Sequence, residues 1–221
     1  MRRVITALVL APLVTGVVFV APNPVVVLGL VLTALMCLRE FFNIIEVGGA
    51  RPLRFVGYVS TAVLVAVTDL PQPYFFCVVA MLMLVAAFVL RRPMIGKTAG
   101  VTFLGVIYVG GAFTLARELH TLSPHWLFWV LCLNWVGDSA AYYVGRSFGR
   151  HRLAPRVSPN KTWEGSFASV VAATTMGITY WTYFVLEPSM DIYSTALLAV
   201  TVNFAGPVSY THLTLPTILL V

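Results

Sequence analysis

Charge is what this chain has least of. Asp, Glu, Lys and Arg make up 10% of its 221 residues, against about 25% in an ordinary soluble domain. Hydrophobic residues make up 59%, and the mean hydropathy is +0.91. A soluble protein this poor in polar groups could not cover its own surface. That excludes a cytosolic globular enzyme and a disordered regulator. Cysteine is sparse too: Cys37, Cys77 and Cys132 each lie inside an apolar stretch and form no CxxC pair. That excludes a secreted disulfide scaffold and leaves three small hydrophobes. There is no GxxxxGK loop, no internal repeat and no low-complexity tract. What remains is an all-α polytopic integral membrane protein.

A membrane span needs roughly 20 apolar residues, so the chain has room for about eight spans and no large soluble domain. The apolar runs fall at Val4–Val20, Val25–Leu38, Phe55–Val67, Tyr74–Leu90, Ala99–Ala116, Trp126–Gly145, Phe167–Leu186 and Tyr193–Ala205. Met1-Arg2-Arg3 before an apolar run resembles a signal peptide, but the later runs and the missing cleavage site favour a retained first helix. Ala21-Pro22-Asn23-Pro24 is a tight turn, which makes the first two runs a helical hairpin.

The formal net charge is +6, and in a membrane protein the position of each charge matters more than the total. Arg2 and Arg3 precede the first run. Arg39, Arg51 and Arg54 flank the second connection, and Arg91, Arg92 and Lys97 the fourth. Arg146, Arg150, Arg152, Arg156 and Lys161 fill the sixth. With alternating spans, 13 of the 14 basic residues share one side and only Arg117 stands on the other. Asp69, Glu118, Glu187 and Asp191 stand with it. Cytoplasmic loops collect Lys and Arg, so both ends are expected in the cytoplasm. Trp126 and Trp129, at the outer end of the sixth run, suit an interfacial aromatic belt.

The chemistry concentrates between Asn134 and Gly165. Asn134, Asp138 and Tyr142 recur at i, i+4 and i+8 and share one helical face. Gly137, Ala141, Gly145 and Gly149 form a stripe beside it, where another helix can approach closely. Asp138 is the only acidic residue well inside an apolar run. It precedes Arg146 by eight residues, roughly 12 Å along a helix. A carboxylate at that depth needs a cation, a metal or water, and an Arg from a neighbouring helix would serve as well. Ser158-Pro159 reads as the N-cap and first residue of the seventh helix. Its free amides and positive dipole end would attract an anion. Lys161 would add a mobile point charge. Glu164 and Asp138 could hold a divalent cation, or orient Lys161 and an Arg. A phosphate site on the cytoplasmic face follows from the residues alone; five cations in the connection could equally be topology signal and nothing more.

The run Asp138-Ser-Ala-Ala-Tyr142-Tyr-Val-Gly145-Arg146-Ser-Phe-Gly149-Arg150, then Leu153, Pro155 and Ser158-Pro-Asn-Lys-Thr-Trp-Glu-Gly165, resembles the signature of the phosphatidate cytidylyltransferase family, DxxAYxxGRxxGR followed by SPxKTxEG. The resemblance implies a membrane enzyme of phospholipid synthesis. It would join CTP and phosphatidate into CDP-diacylglycerol and release pyrophosphate, with Mg2+. It implies catalytic roles for Asp138, Lys161 and Glu164, and substrate binding by Asn134, Tyr142, Arg146, Arg150, Ser158 and Thr162. Asp138 would be a metal ligand. The implied partners are CTP, phosphatidate, the lipid bilayer and a second copy in a homodimer, with no nucleic acid. The implied location is a bacterial inner membrane, N-terminus cytoplasmic.

The family continues with GDLxxSxxKR and later PGHGGxxDRxD, which supply several acidic metal ligands. Here Phe204-Ala-Gly206-Pro207 is followed by Val208-Ser-Tyr-Thr-His-Leu-Thr-Leu-Pro-Thr217. Those ten residues match, codon for codon, the translation of a transposon-end sequencing adaptor. The expectation is therefore an enzyme part over 1–207 and an adaptor-derived tail over 208–221, and a chain that inserts but does not turn over. His212 is excluded as a metal ligand. Two alternatives stand: a transporter using Asp138 as an intramembrane ion site, and a CTP-using lipid kinase.

Overall fold

The computed structural model describes residues 2–67, 72–89, 95–154, 158–185 and 191–212. Asp69, Arg91, Arg92, Arg156, Glu187 and the residues after His212 lie outside the described residues, as does the side chain of Ser158. Nearly everything described is helix. The elements are α1 (Arg2–Val20), α2 (Asn23–Val47), α3 (Arg54–Ala66), α4 (Gln72–Val89), α5 (Ile95–Gly105), α6 (Gly111–Leu122), α7 (Pro124–Phe148), α8 (Trp163–Tyr180) and α9 (Ile192–His212). A π turn, Val106–Gly110, joins α5 to α6, and another, Trp181–Val185, continues α8. With these turns counted into their rods, each expected apolar run corresponds to one helical rod among the described residues. Two rods, Asn23–Val47 and Ile95–Leu122, are long and apolar enough to cross a membrane. Among the described residues the one departure from all-α is a small antiparallel pair, β1 (Arg152–Ala154) and β2 (Ser158–Thr162).

The chain divides into two compact units, Met1–Pro124 and His125–Thr214. In the first, the expected turn between the first two runs is present. The Pro22 carbonyl accepts from the N–H groups of Val25 at 2.9 Å and Val26 at 3.3 Å, and Pro24 sits in the first turn of α2, where a missing N–H costs nothing. Leu53, Leu64, Val79, Met83, Ala99 and Val106 form the core. Polar side chains tie α3 to the α5–α6 rod at both ends. The Leu53 N–H donates to Thr102 Oγ1 at 2.9 Å, and Arg117 Nη1 donates to the Val65 carbonyl at 2.8 Å. Arg117 thus satisfies the C-terminal end of α3, where a cation is favoured.

In the second unit, Trp129, Leu133, Ala173, Trp181 and Ala199 form the core. Trp129 is 2% exposed and its Nε1 donates to the Gly177 carbonyl at 3.0 Å. This corrects the expectation of an aromatic belt at Trp129: its indole points inward, because Gly177 leaves room for the ring and offers a carbonyl for its N–H. Trp126 packs on the edge of the same cluster, 4.5 Å from the Trp181 ring. Asp191 caps α9, its Oδ1 accepting from the Ser194 N–H at 3.1 Å.

Candidate active site

The α7 helix presents Asn134, Asp138, Tyr142 and Arg146 one turn apart along one face, as the spacing requires. Asn134 turns back on its own helix, Nδ2 donating to the Val130 carbonyl at 2.9 Å. Asp138 is exposed. Tyr142 props Arg146: Arg146 Nη1 donates to the Tyr142 hydroxyl at 2.8 Å, and the guanidinium carbon lies 6.0 Å from the ring centre. That geometry holds a flexible side chain over an aromatic face. The helix ends at Phe148, and exposed Arg150 follows it.

The chain then reverses through the hairpin. Arg152 pairs with Thr162 and Ala154 with Ser158, with an irregularity between. The Trp163 N–H donates to the His151 carbonyl at 2.9 Å and closes the open end. This corrects the expected helix start. Ser158 and Pro159 belong to β2, and α8 begins at Trp163 with Thr162 as its N-cap. Thr162 Oγ1 accepts from the Gly165 N–H at 3.2 Å. Ser-Pro suits a helix start locally, but here the segment pairs with β1 instead.

The correction changes how an anion can be held. The first amides of α8 are not free: Trp163 donates to His151 and Gly165 to Thr162, while the Glu164 carboxylate folds over its own amide. Phosphate charge in this region has to be met by side-chain cations rather than by the helix N-terminus. The hairpin supplies one. It returns Lys161 to α7, and its ammonium acts on the Asp138 carboxylate, 23 residues earlier in the chain. Arg146 and Arg150 approach the same connection from the end of α7.

Glu164 is held elsewhere. Its carboxylate accepts from the His151 N–H at 3.2 and 3.3 Å, and its Oε1 lies 2.7 Å from His151 Nδ1. Its own backbone amide, then the His151 ring, depress the Glu164 pKa from 4.5 to about 2. So Glu164 is bound by His151, while Lys161 reaches Asp138 through its charge. Among the described residues no group of three His, Cys, Asp or Glu side chains assembles that could hold a metal. His151 has no place in the sequence reading. Its signal is the hairpin register itself, which sets His151 opposite Trp163 and so beside Glu164.

The small-residue stripe does what its spacing implies. A Cβ on Gly165 would stand 2.7 Å from the Ala141 carbonyl oxygen and 3.1 Å from Gly145 Cα. A Cβ on Gly145 would stand 3.0 Å from Thr162 Oγ1. Thus α7 and α8 cross backbone to backbone, with the capping threonine wedged between them. Deeper in the unit, Gly137 faces the buried pair Ser169 and Asn203, whose Nδ2 donates to Ser169 Oγ at 3.1 Å.

The chain is similar to known proteins. The model of the cytidylyltransferase family matches residues 1–209. A phosphatidate cytidylyltransferase of Haemophilus influenzae is 40% identical over 77 residues, 33% of this chain and 27% of the relative. One of Bacillus subtilis is 34% identical over 105 residues, 46% of this chain and 38% of the relative. One of Staphylococcus epidermidis is 27% identical over 108 residues, 49% and 41%. The matched stretches therefore span between about a quarter and two-fifths of these relatives. With the family model covering nearly its whole length, the chain belongs to the cytidylyltransferase family.

Proposed function

We propose that the protein is a phosphatidate cytidylyltransferase, joining CTP and phosphatidate into CDP-diacylglycerol and pyrophosphate. The observation that carries this reading is the hairpin that brings Lys161 within electrostatic reach of Asp138, inside a connection rich in Arg, in a chain of the cytidylyltransferase family. In the reaction, a phosphate oxygen of phosphatidate forms a bond to the α-phosphorus of CTP, and the bond to the β-phosphate oxygen breaks. Pyrophosphate leaves with its electron pair. The protein's task is to position two polyanions and neutralise them. Lys161, Arg146 and Arg150 supply the positive charge, and Tyr142 holds Arg146 in place. Thr162 fixes the start of α8, and Glu164, through His151, fixes the hairpin that carries Lys161.

Asp138 offers an exposed oxygen donor of the kind Mg2+ takes, and this ion is commonly held by one or two carboxylates together with substrate phosphates. Asp138 fits as one such ligand, with CTP oxygens as others; Glu164, engaged by His151, does not. The ion, when bound, neutralises phosphate charge and polarises the attacked phosphoryl group. The remaining acidic ligands belong to the family's carboxyl-terminal signature. The same proposal reads the eight rods as spans of a bacterial inner membrane, with the N-terminus and the hairpin in the cytoplasm. It also reads 208–221 as adaptor-derived.

Labelled CTP tests the reaction in the full-length protein carrying that signature. With phosphatidate and Mg2+, label in the α-phosphate should enter the lipid and label in the γ-phosphate should leave as pyrophosphate. Entry of the γ-label into lipid would make the protein a lipid kinase instead.

A further inference from the structure

The first unit carries a cavity that the reaction does not use. It lies in the connection between α2 and α3, has a volume of about 690 Å3, and includes Glu46, Arg51, Arg54 and Phe55 in its wall. The wall is fixed. Arg54 Nε and Nη2 donate to the two Glu46 carboxylate oxygens at 2.9 and 2.7 Å, and Nη2 also donates to Asn43 Oδ1 at 2.8 Å. Gly49, at φ +81°, turns the chain so that the N–H groups of Gly48, Gly49 and Ala50 fold back on the last carbonyls of α2. On the far side the Leu53 N–H is tied to Thr102. Arg54 is paired with Glu46, so the exposed guanidinium of Arg51 gives the cavity its net positive charge.

The place of this cavity along α2 decides what it can bind. The helix has 25 residues, about 37 Å at 1.5 Å per residue, and a hydrocarbon core is about 30 Å thick. Read as a span, α2 brings its last turn out in the headgroup layer. There Val47, the last residue of α2, is 92% exposed, and Phe55, in the cavity wall, is 79% exposed. A soluble anion would need only the charge. A ligand with both a phosphate and acyl chains matches the charge and the apolar flanks together.

We propose that this cavity binds the phosphate headgroup of an anionic phospholipid, with Arg51 as its charge partner and Val47 and Phe55 against its chains. None of its residues is assigned to the reaction, and the proposal does not depend on that assignment. Native mass spectrometry of the whole chain, released from bilayers of phosphatidylcholine and phosphatidylglycerol, reads the bound lipid directly. Wild type should retain phosphatidylglycerol over phosphatidylcholine. Arg51→Gln should lose that preference roughly 10-fold, the loss of one charged hydrogen bond, and Arg51→Lys should keep most of it. Arg51 is exposed and outside both helices, so an unchanged melting temperature shows that the variant is folded. Lys161→Ala should leave the Arg51-dependent fraction in place. Equal retention by wild type and Arg51→Gln would overturn the proposal, as would displacement of the lipid by inorganic phosphate.

Discussion

Glu164 brings a carboxylate into the most basic stretch of the chain, and the partner that meets it is a histidine 13 residues earlier. Its pKa is depressed to about 2, first by its own amide and then by His151. A depressed carboxylate contributes stability that is fully present above the unfolded value, here 4.5, and is lost as pH falls toward 2. The hairpin clip should therefore be intact at neutral pH and loosen only below about pH 4.5. Carbon NMR of the labelled Glu164 carboxyl should show a midpoint near 2. In His151→Ala the midpoint should rise yet stay below 4.5, because the larger cause, the backbone amide, remains. A wild-type midpoint at the ordinary glutamate value would show that the clip is not formed. At this scale the sequence is a partial guide. Asp138 and Lys161 stand out by type and place, since an acid inside an apolar run and a lysine beside a Ser-Pro step are rare. The His151–Glu164 pair does not, because it exists only once the strand register is known.

At the scale of elements, α7 is legible because its signal is local and long: a polar stripe and a small-residue stripe run together over its inner half. The start of α8 is not. Ser158-Pro159 satisfies the local rules for a helix N-terminus, and the choice between helix and strand is made by β1, a partner several residues away. Thr162-Trp-Glu-Gly165 holds the true signal, a threonine cap followed by an acid in the first turn. The inward turn of Trp129 escapes the sequence for the same reason: depth along a helix is visible there, and the face a residue turns to a neighbour is not. The crossing of α7 on α8 gives a test at this scale. Gly165→Ala would press a methyl group against the Ala141 carbonyl and Gly145 Cα, both backbone, which cannot swing aside. Overpacking of this kind costs about 1–3 kcal/mol, so the melting temperature in detergent should fall. Gly100→Ala, where a Cβ meets open space, should leave it unchanged or slightly higher. Equal melting for Gly165→Ala and wild type would mean that the helices do not cross there.

The whole molecule is organised by the distribution of its few charges. If the basic side faces the cytoplasm, the hairpin and the α2–α3 connection face the same compartment, and CTP meets the site where it is made available. Accessibility labelling decides this in a background without Cys37, Cys77 and Cys132. Leu153→Cys should react only with reagent admitted to the cytoplasm, and Asp191→Cys with reagent outside intact cells. The reverse pattern would invert the topology. At this level the reading rests on composition and charge, because a chain with so little charge has few ways to place it. The number of spans is less directly visible, since among the described residues two rods pass on length and apolarity alone. In the proposed reaction one hairpin brings the charge of Lys161 to bear near Asp138, and together they hold the phosphates of CTP. Turnover of α-labelled CTP and phosphatidate by full-length Lys161→Ala, Asp138→Asn and the double variant tests it most directly. Each single change should cost roughly 10²-fold, about 3 kcal/mol. The double change should cost little more than either, since residues that act as one unit are not additive. Near-native turnover by either single variant, with the protein inserted and folded, would contradict the account.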